Sequence, residues 1–255
     1  MGSDPAFTKS ESHYSYSAYA DPAMAATFDG QRFGGPIGQI LLEDQERAVL
    51  AFLGEVSNRR ILDIGTGTGR AAVALARHGA RVTAMDASQE MLSVARVRAA
   101  DAGVSIEFTQ GDAHLLVFED RAFDAVVSLR MLMHVPDWRK ALSEMCRVSR
   151  RHVVFDYPAL ASAATVQAVW RRGAAVLASN VETYRVFRAG RVARELERHG
   201  FRVVSTHKQF VLPIALHKLV GSSRFTRGTE QVLAGMGLLR LAGSPVTIAA
   251  ERCVF

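Results

Sequence analysis

Residues 61–69 read Ile61-Leu62-Asp63-Ile64-Gly65-Thr66-Gly67-Thr68-Gly69. A short apolar run enters three glycines at alternate positions. Arg70 to His78 then carries Ala and Val at helical spacing and stops at Gly79. The pattern predicts a strand, a tight turn and a helix. Glycine suits such a turn because a ligand can approach the backbone without meeting a Cβ, and because positive φ is tolerated there. The helix start aims unpaired N–H groups at that ligand. Asp86, about 20 residues on and at the end of the next apolar run, stands where an acid can accept hydrogen bonds from a ribose diol. These features point to a nucleoside cofactor at the carboxyl edge of an open sheet.

Outward from this stretch, short β-rich runs alternate with amphipathic helical patterns, as in a parallel α/β sheet. The expected strands are Arg60–Ile64, Arg81–Asp86, a third carrying Val104, Ile106 and Phe108, and then Phe123–Leu129 and His152–Tyr157. Ser88 is the expected N-cap of a helix running to about Ala102, with Glu90 in its first turn facing the positive helix end. Asp137 to Val148 is amphipathic. Later, Arg191–His199 reads as a helix closed by Gly200, and Phe201–His207 and Val246–Val254 read as strands. Segments 9–55, 158–188 and 209–243 fall outside the alternation. Structureless loops of that length are rare in compact domains, so helices are expected in them.

Composition bounds the class. The chain has 255 residues, 49% hydrophobic and 22% charged, with a formal net charge of +6. Intrinsic disorder needs lower hydrophobicity and denser charge. Cys146 and Cys253, both in apolar stretches, exclude a disulfide scaffold and suit a reducing compartment, so a cytoplasmic location is expected. No run approaches the ~18 apolar residues of a membrane span, and the first ten residues lack the apolar stretch of a secretory signal. Residues 1–8, MGSDPAFT, look vector-derived. The basic excess reads first as a solvated surface, with nucleic acid, an anionic substrate or a membrane surface as the partners it admits.

Two cofactor classes compete at the glycines. Gly67-Thr68-Gly69-Arg70-Ala71-Ala72 formally fits the dinucleotide expression G-x-G-x-x-G/A, which keeps a nicotinamide-dependent oxidoreductase in view. That fit starts two residues late and leaves Asp63 unexplained. A carboxylate before the first glycine repels a pyrophosphate and attracts an α-amino group. A non-catalytic cofactor-binding protein is the other alternative, though its expected mark, a damaged glycine motif or missing ribose acid, is absent.

The residues resemble the class I S-adenosylmethionine-dependent methyltransferases, of the small-molecule, quinone-biosynthesis-like type. Asp63-x-Gly65-x-Gly67-x-Gly69 is similar to the family's first motif, around the methionine end of the cofactor, and Asp86 to its ribose acid. Gly111-Asp112-Ala113 resembles the segment that meets the adenine. Asp124 to Leu129, followed by Arg130-Met131-Leu132-Met133-His134-Val135-Pro136-Asp137, resembles the fourth motif, in which backbone around Ser128, Leu129 and Arg130 meets the cofactor's amino and carboxylate ends. The resemblance adds Thr66, Ala87 and Met91 to the cofactor shell. Tyr19, Phe28-Asp29 and Gln31-Arg32-Phe33 resemble the family's amino-terminal lid, which implies Tyr19 and Phe28 near the cofactor. The Arg32 guanidinium is a candidate to grip the cofactor carboxylate or an acidic substrate, with a surface role as its alternative. Phe28 stands where a Tyr is common.

The fold implied is a Rossmann-like, seven-stranded, mostly parallel sheet with an antiparallel last strand, helices on both faces and a helical substrate cap. One methyltransferase domain over 9–255 is expected. Its core is 55–157, 189–208 and 244–255; lid and cap segments are 9–54, 158–188 and 209–243. The implied reaction is methyl transfer from S-adenosyl-L-methionine to a small-molecule acceptor through oxygen, nitrogen or carbon. It is promoted by alignment and water exclusion. His134, after the fourth strand, is the candidate base, with packing beside the cofactor as the competing role. Tyr157 and His217 are candidate substrate contacts, each with a structural alternative. No metal-ligand spacing is seen. Nucleic-acid acceptors are disfavoured: Ser128-Leu129-Arg130-Met131 lacks the Pro-Pro-aromatic element of base-amino methylating enzymes, and no Pro-Cys nucleophile exists. The late segment, with leucines interleaved with Lys218, Arg224, Arg227 and Arg240, reads as a cap packing on the core, or as one that serves an apolar acceptor or touches a membrane.

Overall fold

The computed structural model describes residues 21–160 and 185–253. Chain order within them begins with two helices, α1 (Pro22–Phe33) and α2 (Gly35–Leu53). Alternating elements follow: β1 (Arg60–Ile64), α3 (Arg70–Arg77), β2 (Arg81–Asp86), α4 (Gln89–Asp101), β3 (Glu107–Gln110), β4 (Phe123–Ser128), α5 (Trp138–Val148) and β5 (Ser149–Tyr157). The last part runs α6 (Ala189–Arg198), β6 (Phe201–Phe210), α7 (Ile214–Val220), α8 (Ser223–Gly235), α9 (Leu238–Ala242) and β7 (Ser244–Arg252).

The seven strands lie in the order β3-β2-β1-β4-β5-β7-β6. Pairs from β3 through β5 are parallel, and β7 is antiparallel to both β5 and β6. The chain order reverses between β1 and β4, so the carboxyl ends of those strands flank the crevice in which open α/β sheets bind ligands.

Strand parity builds a core on each face. Leu62 and Ile64 of β1 join Val126, Val153 and Phe155 beneath α5 and α6. Ile61, one residue away, joins Val127 and Val154 on the opposite face, beneath α2 and α3. The apolar stripe of α2 explains its seat: Ile37, Leu41, Ala48, Val49 and Leu53 are all buried, and Gln45 lies among them.

Helix starts follow their caps. Asp21 accepts Ala23 N–H at 2.9 Å ahead of Pro22. Ser88 accepts Met91 N–H at 3.0 Å, as expected. Asp137 accepts the N–H groups of Arg139 and Lys140. The third strand differs from expectation, beginning at Glu107 rather than near Val104. Gly103 takes φ +66° and Val104 N–H returns to Ala99 O at 3.1 Å, so these residues finish α4 instead. β5 starts earlier than expected, since Ser149 pairs with Phe123. β6 extends to Phe210, opposite Ser244, and β7 correspondingly begins at Ser244.

Helices do occupy the described parts of the segments outside the alternation: α1 and α2 in the first, and α7 to α9 in the last. Of segment 158–188 only the ends are described, where Ala159 bridges Phe187. Among the described residues no helix is long and apolar enough to cross a membrane.

Candidate cofactor and acceptor site

A cavity of about 680 Å³ opens at the carboxyl ends of β1, β2 and β4, within the range of small-molecule and cofactor sites. The glycine turn forms its floor. Gly65 and Thr66 N–H groups both donate to Met85 O, at 2.8 and 3.0 Å, which fastens the turn to the end of β2. The three glycines have different duties. A Cβ on Gly67 would meet nothing within 4 Å, and its φ is +55°, so this position faces open space. A Cβ on Gly69 would lie 2.8 Å from Ala95 Cβ, so Gly69 serves the packing of α3 against α4. At Gly65 the Met131 side chain takes the space, with Cγ 2.6 Å from a Cβ placed there.

Two acids stand over this floor. Asp63, at the end of β1, is 1% exposed and accepts the Thr66 hydroxyl at 2.7 Å. Burial pushes its carboxyl up to about 6, and the nearby Asp86 adds to the rise; the Thr66 hydroxyl and the Ala72 N–H oppose it. Asp86 accepts Gly67 N–H at 2.8 Å on one oxygen and Ser88 N–H at 2.9 Å on the other. Burial raises its carboxyl too, against those N–H groups. Both acids line the cavity, and the Asp86 carboxylate, held by the N–H groups of Gly67, Ala87 and Ser88, keeps acceptor capacity for a ligand hydroxyl.

The other expected positions divide. Thr66, Ala87, Met91, Gly111, Asp112 and Ala113 line the cavity, as do Phe28, Leu129, Arg130 and His134. Asp112 also accepts the His114 backbone N–H at 2.9 Å. His134 is 8% exposed, with its N–H on Met131 O at 2.8 Å. Ser128 and Arg32 do not line the cavity. The Ser128 hydroxyl donates to Ile64 O at 2.9 Å, tying β4 to β1. The Arg32 carbonyl accepts Lys218 Nζ at 2.7 Å, and its guanidinium lies 5.8 Å from the Phe28 ring centroid. Tyr19 lies outside the described residues.

Neither expected substrate contact reaches the cavity wall. Tyr157 is buried between Phe155 and Phe187 on the α5 face, and burial raises its phenol to about 12. His217 is fully buried in the cap: Nε2 lies 2.8 Å from Glu230 Oε1 and Nδ1 3.1 Å from the Thr226 hydroxyl. Its ring packs between Phe210 and Phe225. The buried imidazole thus organises the cap from within.

Several residues in and behind the cavity wall have partners that the sequence did not assign. Asp156, the neighbour of Tyr157, points to the opposite face and is 2% exposed. It accepts Gln45 Nε2 at 2.9 Å and the backbone N–H of Arg130, a residue with φ +59°. An acid inside the apolar run Val153-Val154-Phe155, and a Gln on the stripe of Ile37, Leu41 and Val49, were the available signals. Asp29 of α1 accepts the Thr68 hydroxyl at 3.0 Å, lies 3.5 Å from Arg70 Nε and pairs with Arg98. These contacts latch α1 onto the glycine turn and α4. Phe33 closes that side, with the Arg70 guanidinium 3.4 Å above its ring and that of Arg130 5.7 Å away. Burial lowers Arg70 to about 10. Among the described residues no three His, Cys, Asp or Glu side chains gather as a metal site would require.

An open backbone face at Gly67, a buried acid beside it and a second acid fixed by backbone N–H groups fit the amino and ribose ends of S-adenosylmethionine. Comparison with known proteins bears on the family and the cofactor class. Residues 61–152 match a family model described as a methyltransferase domain. The chain is 41% identical over 107 residues to a ubiquinone biosynthesis O-methyltransferase of Alkalilimnicola ehrlichii, covering 41% of this chain and 43% of that protein. It is 39% identical over 109 residues to a demethylmenaquinone methyltransferase of Thermus thermophilus, covering 41% of this chain and 50% of that protein. The chain therefore spans half or less of these relatives' lengths. A magnesium protoporphyrin IX methyltransferase from Synechocystis PCC 6803, solved with bound S-adenosylmethionine, superposes with a TM-score of 0.62 at 17% identity, over 96% of this chain and 100% of that one. At that identity the likeness is one of fold. Residues 61–152 thus carry a methyltransferase-domain match, within a seven-stranded sheet whose fold is shared with solved S-adenosylmethionine-dependent methyltransferases.

Proposed function

We propose that the chain transfers a methyl group from S-adenosylmethionine to a small-molecule acceptor, as one domain whose lid and cap border the site. The observation that carries this reading is the pair Asp63 and Asp86 on one cavity wall beside the open face of Gly67. The cofactor, when bound, supplies an electrophilic methyl carbon on a sulfonium. The protein's own part is to hold, align and dry the site. Asp63 would take the amino group, Asp86 the ribose hydroxyls, and Asp112 the adenine amino group. Phe28, Phe33 and Met131 exclude water from the acceptor side, where alignment and desolvation favour in-line displacement.

For an oxygen or nitrogen acceptor a proton must leave, and His134, an imidazole on the cavity wall, is the base we propose for it. The names of the two relatives support an apolar, aromatic acceptor of the quinone-precursor kind. The free cysteines, Cys146 buried and Cys253 half-buried, accord with a reducing, cytoplasmic setting.

Calorimetry with S-adenosylhomocysteine and with NAD(P), followed by a metabolite panel scored for S-adenosylhomocysteine release, tests the reading. Binding of the first ligand and turnover of one acceptor class are expected. Binding of NAD(P) alone would overturn it. Asp86→Ala should weaken S-adenosylhomocysteine by about tenfold to a hundredfold, the scale of losing charge-assisted hydrogen bonds.

A further inference from the structure

The cap turns an apolar stripe outward. Of α8 only Thr226 is buried. Phe225, Val232 and Met236 repeat at helical spacing on its exposed side, Val232 at 63% and Met236 at 69% exposure. Neighbouring α7 and α9 add Leu219 at 84% and Leu241 at 71%. Scattered exposed apolar residues are ordinary, but seven of the twelve large ones among the described residues fall within 214–242. A shallow groove on α8, lined by Arg224, Phe225, Gly228, Thr229, Val232 and Leu233, runs along the stripe.

Charge says what fits there. Residues 209–243 carry Lys218, Arg224, Arg227 and Arg240, all exposed, against a single acid, Glu230. Glu230 is turned inward and fully occupied: one oxygen accepts Val211 N–H at 2.7 Å, the other accepts Leu212 N–H at 3.0 Å and faces His217. The outer surface therefore presents cations and apolar tips with no acid among them. Two such faces would repel each other, which argues against self-pairing. An acidic, apolar sheet of lipid complements both features.

We propose that the cap docks on an anionic phospholipid surface, with Phe225, Val232 and Met236 of α8 entering the interface and Arg224 and Arg227 meeting lipid phosphates. The cap begins in the cluster where Phe210 and Ile214 pack with Phe28, Phe33 and Leu41, and Phe28 and Phe33 line the cavity. Docking there sets the cavity beside a reservoir of apolar acceptor; this consequence rests on the methyltransferase reading, whereas the docking does not.

The test is co-sedimentation of the full chain with vesicles of phosphatidylcholine alone and of phosphatidylcholine mixed with phosphatidylglycerol. Pelleting with the anionic vesicles, reversed by raised salt, is expected. The pairs Val232→Glu/Met236→Glu and Arg224→Glu/Arg227→Glu should each weaken it by about tenfold or more. Because all four side chains are exposed, melting temperature and S-adenosylhomocysteine affinity should hold, and they serve as folding controls. Absence of pelleting, or pelleting that neither pair changes, overturns the proposal. So does a concentration-dependent dimer in sedimentation velocity that both pairs abolish, which would assign the face to a second copy. Vesicle binding without S-adenosylhomocysteine binding would sink the methyltransferase reading alone; the converse would sink the docking alone.

Discussion

Gln45 and Asp156 meet across 111 positions of sequence, Nε2 to Oδ2 at 2.9 Å, and both are almost fully buried. The contact joins the second helix to the end of β5. The other oxygen of Asp156 holds the Arg130 N–H, so the pair also fixes the loop that carries Met131 and His134 into the cavity.

Gln45→Leu keeps the volume and removes the donor, leaving a buried carboxylate short of a partner. A loss of roughly 1–3 kcal/mol in unfolding free energy is expected from denaturant titration. A double-mutant cycle with Asp156→Asn should return a coupling of at least about 0.5 kcal/mol. Independent effects would mean that the two side chains do not act as a unit.

Asp63 gives a pH dependence with a definite sign. Its folded carboxyl is raised from 3.8 to about 6, so the folded chain binds that proton more tightly than the unfolded chain does. The contribution to stability is fullest below pH 3.8 and is lost as pH rises to about 6, leaving at neutral pH a cost on the order of 1–3 kcal/mol. In the proposed binding mode, ligand binding runs the other way, because the cofactor's ammonium would pair with the carboxylate. S-adenosylhomocysteine affinity should fall as pH drops through about 6. Asp63→Asn should raise the ligand-free melting temperature at pH 7.5, by roughly 2–4 °C per kcal/mol. It should also weaken the ligand and flatten the pH profile. Calorimetry and thermal melts read both effects, and a lowered melting temperature would contradict the assigned burial cost.

Gly69 is required for packing rather than for ligand approach. At φ +79°, with a Cβ placed 2.8 Å from Ala95 Cβ, Gly69→Ala forces α3 and α4 apart. A destabilisation of roughly 1–3 kcal/mol is expected in urea. Gly67→Ala carries the strain of positive φ without a packing clash, so its main loss should appear as weaker S-adenosylhomocysteine binding.

His134→Ala separates a base from a packing role. As the base, its removal should lower kcat by roughly 10²-fold or more. The acidic limb of the pH–rate profile should go with it, while S-adenosylhomocysteine affinity holds. A modest kcat loss with an unchanged pH profile would reassign His134 to packing.

The local chemistry of the chain was enough to place the strand, glycine turn and helix at 60–77, the acid Asp86 at the end of β2 and the helix start at Ser88. Each depends on neighbours within a few residues. The parallel character of the sheet followed because short β and α patterns alternate, whereas its seven strands and antiparallel last strand were implied by the family resemblance and their order was read from the structure. Asp156 and Tyr157 show where that legibility ended. A strand buried on both faces has no alternation to reveal which residue faces which layer. A shift of one position moves the functional side chain to the other side, and the pairing of Asp156 with Gln45 settled it.

His217 illustrates the same limit in the cap. An imidazole among leucines reads equally as ligand or as structure until Glu230, 13 residues away, is seen to reach it. Asp29 needed Thr68, Arg70 and Arg98 from two other helices and a turn to acquire its role as a latch. Sequence by itself determined the class of fold and the acids Asp63 and Asp86 at the strand ends that line the cavity, because those follow from backbone geometry and short-range spacing. Tertiary structure alone decided which polar side chains are paired in the interior and which line the cavity, because burial and partnership depend on segments that only folding brings together.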